Sequence, residues 1–494
     1  MDELSIQGLS DLIGGRVQRD STPPPCGPQE PIGRIAVEAR EVAAGDVFWA
    51  LEAEACARAA QVREALARGA RGLVVPDAAF TWPRLSQTPG IADASLRDAV
   101  SLAERAAYGA FQPPAGCFAI VVEDTHEALQ RLAIWHRQRV TARVIAVAGG
   151  PGKTTTRRMI DAVLSGSFSG RSPVSDGNHP WSLPLALLQL QRQDDYGLLE
   201  YHASRKNEIR SVSHLCQPEI GVINSLAQNV SPSENEGERC ELEWLQDLPE
   251  HGWAVLSGDE PRLGDWADRV KTQVMLVGRG SHCDLNATHV HCGQGELKFV
   301  VEGTECTVRT WGRHALHAAL TAFAVGRIMG LSAREVAARL REFQPLAHRC
   351  QVACQNGITV IDDTYDGQFA SWRAALEVLR EVETQGRRIV VCGGLEESGH
   401  GPQPQREIGR AAVVRCGADW LIAGGPAGRT VVEAAQAAGM PASRAVWRPQ
   451  IKDAAAQLQY VVQPGDAVLV KGGGEAAWEQ VVQPVLGRPL ASAA

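Results

Sequence analysis

No apolar run in these 494 residues approaches the roughly 20 needed to span a bilayer as a helix. The opening stretch, MDELSIQGLSDL, carries acids where a secretory signal needs a basic start and an apolar core. A basic excess is missing as well. Lys and Arg total 49 against 57 Asp and Glu, a formal net charge of -8, which argues against nucleic acid or an anionic membrane surface as the main partner. The cysteines lie scattered with no CxxC pair. Cys350 and Cys354 are the nearest two, and no second pair follows to complete a zinc site. Reduced thiols in a cytoplasmic protein are the expectation. No internal repeat with a period of about 20–50 residues interrupts the sequence, and no low-complexity tract does.

What is present is a long alternation of strand-like and helix-like patterns. The length suggests about three domains, since one core does not grow this large. Residues 1–120 hold strand 46-DVFWALEAE-54, helix 57-ARAAQVREALARGA-70 and strand 71-RGLVVP-76, a small α/β unit, with 110-AFQPPAGCF-118 as a connection. Residues 121–346 open with the helix-like 121-VVEDTHEALQRLAIWHRQ-138, which Thr125 can cap and which Ala128, Leu129, Leu132, Ala133 and Trp135 make amphipathic. Strands follow at 197–201, 219–224 and 253–258, and helical periodicity returns at 315–329 and 332–343. Residues 347–494 give strands at 388–394, 420–425 and 466–474 with helices such as 430–439 between them, a Rossmann-like series. The fold class expected is α/β, with a small N-terminal α/β domain, a central P-loop ATPase-like domain and a C-terminal Rossmann-like domain.

The chemistry concentrates in 144-VIAVAGGPGKTTTRRMI-160. An apolar strand meets Gly149, Gly150 and Gly152, then Lys153, Thr154 and Thr155 open a helix. Such a loop points backbone N–H groups at a phosphate, and the helix N-terminus adds its positive dipole end. Lys153 supplies a full charge to the β and γ oxygens, and Thr154 offers a hydroxyl to Mg²⁺. Val147 stands at the first glycine position of the common GxxxxGK[ST] pattern, and Pro151 removes one N–H donor.

GxxGKTTT after a strand resembles the ATP-dependent Mur ligases, which build the peptide of peptidoglycan. Further motifs follow in the same order. The stretch 36-AVEAREVAAGDVFWAL-51 is similar to DSRxVxPGxLFVAL, 176-DGNHPWSLPLALLQL-190 to GNxNNxIGxPLTLL, and 197-GLLEYHASRKNEI-209 to ExGxxxxGEI. In the third segment 362-DDTYDGQFASW-372, 393-GGLEESG-399 and 469-LVKGGGEAAWEQVV-482 resemble DDSYNANPxSM, GDMxELG and LVKGSRxxxMExVV, patterns closest to the MurF branch. No DNPR motif of the MurE type occurs. An unrelated P-loop GTPase or kinase would leave these flanking motifs as coincidences.

The resemblance implies ATP-driven amide ligation on a UDP-sugar-peptide-like carboxylate, with Mg²⁺ as cofactor and an amine such as a dipeptide as second substrate. It implies a cytoplasmic monomer acting in cell-wall precursor synthesis, its first 120 residues serving the UDP-precursor. Lys153 and Thr154 match phosphate and magnesium residues, Glu200 a metal-binding glutamate, Arg349 an arginine able to reach the γ-phosphate, and Asp363 a nucleotide-contacting aspartate. A second metal site falls on Asn229, where the family has histidine, and on or near Glu241, where it has a carbamylated lysine. Ala315 replaces an adenine-reading asparagine in 312-GRHALHAALTA-322. Asp366, Gln368, Phe369, Gly394, Gly473 and Gly474 depart from the substrate-side motifs, Glu38 replaces an aspartate, and Arg40 is retained. These losses leave an alternative: a Mur-ligase-fold protein that only binds or scaffolds.

Overall fold

The computed structural model describes residues 4–19, 27–52, 54–77, 116–173, 181–201, 213–226, 242–365, 367, 369–393, 402–472, 478, 481–482 and 485. The described residues form a mixed α/β structure with four sheets of five, seven, three and six strands. The chain forms two compact units, Met1–Ala142 with Val174–Gln193, and Arg143–Pro173 with Asp194–Ala494.

The first unit is built on a five-stranded sheet. Strands Ile35–Ala36, Val47–Trp49, Gly72–Pro76 and Phe118–Val122 run parallel, and Arg16–Arg19 closes the edge antiparallel to Phe118–Val122. Continuous burial along 47–49 and 72–76 is what a parallel sheet covered on both faces demands. Helix Thr125–Arg137 packs in this unit, its Ala128, Leu129 and Leu132 joining the core of Ile6, Leu9, Trp49 and Phe118. Its cap is Asp124 and not the expected Thr125. The Asp124 carboxylate accepts the N–H groups of His126 and Glu127, and Thr125 is already the first helical residue.

In the second unit, the seven-stranded sheet is parallel throughout, in the order Leu285–Asn286, Gln273–Gly278, Trp253–Ser257, Ile220–Ile223, Arg143–Ala148, Tyr196–Glu200, Gly170–Arg171. The strand feeding the glycine loop therefore sits inside the sheet, between the strand ending in Glu200 and the strand followed by Asn224. Chains diverging from neighbouring strands leave a crevice at the carboxyl ends, where ligands of such sheets bind. Helices Lys153–Leu164 and Ala315–Ile328 bury Met159, Ile160, Val163, Ala319, Leu320 and Phe323 in one core with Ile145 and Val147.

A three-stranded antiparallel sheet, Thr288–Gly293, Glu296–Val301 and Thr304–Arg309, adds Leu297, Phe299 and Val308 to the same core. The six-stranded sheet is parallel except for its edge strand Gln351–Gln355, which pairs antiparallel with Ile358–Asp363. Within it Asp363 and Lys471 are register partners at the carboxyl ends of adjacent parallel strands.

Candidate functional site

The loop 149–152 turns where only glycine fits. Gly149 has φ 102° and Gly152 φ 98°, a left-handed backbone that L side chains rarely adopt. A Cβ on Gly149 would lie 2.4 Å from the Ser225 carbonyl oxygen. Gly150 N–H donates to that same oxygen at 2.7 Å, and Ser225 Oγ donates to the Pro151 carbonyl at 3.0 Å. The segment after strand Ile220–Ile223 thus braces the loop from one side. Asn224 Nδ2 donates to Thr156 Oγ1 at 2.6 Å, and Thr321 Oγ1 donates to Asn224 Oδ1 at 2.5 Å, which ties the loop helix to helix Ala315–Ile328.

Lys153 Nζ curls back over the turn, donating to the carbonyls of Gly149 (2.7 Å) and Gly150 (3.2 Å). Thr154 Oγ1 donates to Glu200 Oε1 at 2.9 Å across the adjacent strand end. Arg349, 195 residues further along the chain, brings Nη2 to 3.4 Å from the same Thr154 Oγ1. Its guanidinium lies 4.1 Å from the centroid of the Tyr365 ring. Thr154, Glu200 and Arg349 therefore meet beside the loop that carries Lys153. Asp363 stands elsewhere in the network: its Oδ2 accepts from buried Lys471 Nζ at 2.6 Å and its Oδ1 from Cys350 N–H at 3.0 Å. Asn229 and Glu241, the expected second metal site, lie outside the described residues, as do Asp366, Gln368, Gly394, Gly473 and Gly474.

These residues fit a magnesium–nucleotide. Thr154 and Glu200 present two oxygens side by side, which suits Mg²⁺, a cation that takes one or two carboxylates together with substrate phosphate oxygens and water. Among the described residues no group of three or more His, Cys, Asp or Glu stands together as a metal cage. Arg349 Nε is buried without a hydrogen-bond partner among the described residues, an orphaned donor beside the loop. The loop helix starts at Gly152 with no side-chain cap bond.

Two contributors escaped the sequence reading. Arg157 Nε lies 3.3 Å from Glu200 Oε2 with both side chains buried, and Arg157 Nη1 donates to the Ser172 and Pro173 carbonyls at 2.9 and 3.3 Å. It stands three residues after Thr154, one helical turn along the same face, and that spacing was the available signal. Lys471 lies within the 469–482 motif, whose pattern alone carries no sign of its pairing with Asp363.

Beside the loop opens a cavity of about 610 Å³, ample for a small molecule. Gly152, Thr155, Asn224, Ala315, His317 and Phe369 are among its lining residues. Ala315 faces it with a methyl group where the resemblance calls for an amide. His317 is clamped between Ser257 Oγ (3.3 Å to Nδ1) and Asp259 Oδ2 (3.3 Å to Nε2). Burial holds the imidazole of His317 below the ordinary histidine range, although Asp259 works in the opposite sense.

Comparison with known proteins agrees with this geometry. The model of the Mur ligase middle domain matches residues 147–326, and that of the Mur ligase glutamate ligase domain matches 348–474. The chain is similar to the UDP-N-acetylmuramoyl-tripeptide--D-alanyl-D-alanine ligase of Bacillus subtilis (strain 168), 28% identical over 385 residues, 76% of this chain and 83% of the relative. Its fold is similar to the crystal structure of MurF from Acinetobacter baumannii, with TM-score 0.79 and 22% identity over 98% of this chain and 99% of that one. The MurF ligase of Thermotoga maritima, solved in complex with ADP, superposes with TM-score 0.71 and 19% identity over 92% and 96% of the two chains. With its middle and C-terminal domains matched in order around a shared phosphate loop, this chain belongs to the Mur ligase family.

Proposed function

We propose that this protein is a MurF-like, ATP- and Mg²⁺-dependent amide ligase. Its carboxylate substrate is the peptide end of a UDP-N-acetylmuramoyl-tripeptide-like precursor, and its amine is a dipeptide such as D-alanyl-D-alanine. It works as a cytoplasmic monomer in peptidoglycan precursor synthesis, without nucleic acid and without membrane insertion. The observation that carries the reading is the meeting of Thr154, Glu200 and Arg349 beside the glycine loop.

The γ-phosphoryl group of ATP passes to a carboxylate oxygen of the precursor and ADP leaves. The amine then attacks the acyl carbon, the amide bond forms, phosphate leaves, and the amine gives up a proton. Lys153 and Arg349 neutralise the charge that develops on the transferring group. Thr154 and Glu200 would hold Mg²⁺, which would supply further charge neutralisation to the nucleotide phosphates. Buried Arg157 fixes the Glu200 carboxylate so that it does not swing between partners. The functional segments remain 1–120, 121–346 and 347–494. The second boundary is supported by the two family matches, one ending at 326 and the other starting at 348. Ala315 and Pro151 are the described features that weigh for a protein that only binds or scaffolds, and the meeting of Thr154, Glu200 and Arg349 weighs for the ligase.

The test is direct. Purified protein is incubated with ATP, Mg²⁺, UDP-muramyl tripeptide and D-alanyl-D-alanine, with phosphate release and product mass followed together. Stoichiometric phosphate and pentapeptide product are expected; neither signal at saturating substrates would exclude the ligase reading.

A further inference from the structure

We propose that His348 and Asp362, assisted by Asp363 and Lys471, are positioning residues that clamp Arg349 onto the phosphate loop. The proposal rests on the ligase reading for its catalytic consequence, and on the geometry alone for the clamp. Arg349 stands between two non-glycine residues in the left-handed region, His348 at φ 63° and Cys350 at φ 46°. L side chains resist that conformation, and it persists only where the surroundings over-determine it.

Here two consecutive aspartates at the end of strand Ile358–Asp363 do so. Neighbouring side chains on a strand point to opposite faces, so Asp362 and Asp363 grip the loop from two sides. Asp362 Oδ2 lies 2.8 Å from His348 Nδ1, while its Oδ1 accepts from Thr364 N–H and Oγ1 at 3.2 and 2.7 Å. Asp363 Oδ1 accepts Cys350 N–H, and its Oδ2 is held by Lys471, which is fully buried. Tyr365 N–H returns to the His348 carbonyl at 3.0 Å, placing its ring against the guanidinium.

The segment carrying Arg349 is thus tied at its backbone and on both flanks to one strand end. The outcome is the 3.4 Å approach of Nη2 to Thr154 Oγ1. A planar five-donor fork held in place needs no reorganisation when charge develops on a phosphoryl group. Asp363 takes part in this clamp through the Cys350 N–H and Lys471.

The discriminating variant is His348→Asn, because asparagine tolerates the left-handed backbone but forfeits the imidazole reach to Asp362. Asp362→Asn is the second variant, probing the same contact from the other side. For either, kcat is expected to fall about tenfold to a hundredfold, with KM for ATP moving less than about threefold. In an Arg349→Ala background the same changes should cost nothing more. Crystals of nucleotide-free wild type and His348→Asn should show Arg349 within reach of Thr154 only in the former. Additive losses in the double variants, or Arg349 unmoved in the His348→Asn crystals, would overturn the clamp. The crystal pair needs no ligation, so an inactive wild type would count against the ligase reading while the clamp is still decided.

Discussion

Lys153 donates to two backbone carbonyls of its own loop, so binding a triphosphate exchanges neutral acceptors for charged ones. An ionised phosphate oxygen adds ion-pair attraction to the hydrogen bond that the ammonium makes, which favours the exchange. Lys153→Ala is expected to weaken Mg²⁺–ATP binding in calorimetry and to lower kcat by about 10²–10³, with an unchanged melting temperature. Ala315→Asn tests the opposite direction. It returns an amide to the cavity wall and should tighten ATP by about tenfold to a hundredfold, corresponding to about 1–3 kcal/mol, without tightening GTP equally. Lys153, Thr154 and Glu200 stood out because each lies in a motif, and Arg349 through the place the resemblance gives an arginine at the junction of the second and third segments. Arg157 and His348 did not. Their partners, Glu200 and Asp362, lie 43 and 14 residues away, and only the sheet brings them together.

At the scale of the element, the glycine turn makes a graded prediction. Gly149→Ala must accommodate both a left-handed backbone and a methyl group 2.4 Å from the Ser225 carbonyl oxygen, while Gly152→Ala meets no heavy atom within 4 Å and carries backbone strain alone. Gly149→Ala should therefore lose about 1–3 kcal/mol of stability and most nucleotide affinity, and Gly152→Ala about 1 kcal/mol. Thermal melts with and without Mg²⁺–ADP rank the two; equal losses would show that the Ser225 brace is irrelevant. The strand ahead of this turn was readable as an apolar run because parallel strands are buried on both faces. The hairpin strands spanning 288–309 were not read. They expose one face, and their polar positions, Thr288, His289, His291, Glu296 and Lys298, dilute the apolar signal. Helix Thr125–Arg137 was read to within its first turn, and the competition between Thr125 and Asp124 for the cap was settled only by which side chain faced the free N–H groups.

Across the whole molecule, the motif order identified the family, but the return of residues 174–193 to the first unit was invisible, because contact between distant segments leaves no local period. Stability against pH is likewise a property of the entire chain. Burial lowers the pKa of His126 and His136 in the first unit and of His317 in the second. A depressed histidine is neutral in the folded chain while its unfolded counterpart, with a pKa of about 6.5, takes up a proton first. The contribution is complete above about pH 6.5 and is lost as pH falls through the folded values, with the same sign for all three. Asp466 behaves alike at lower pH. Burial alone would raise its pKa, but hydrogen bonds from Arg387 and from the N–H groups of Arg387 and Gln463 prevail and lower it. Its contribution is full above about pH 4 and is lost below. Acid should therefore lower the melting temperature in two stages, one beginning near pH 6.5 and one below about pH 4. His317→Gln should flatten the first stage, and Asp466→Asn the second while costing about 1–3 kcal/mol at neutral pH. A melting temperature that stays level from about pH 7 to 5 would mean that these imidazoles reach water readily, and the cavity wall would then be open on the side where burial now holds them neutral.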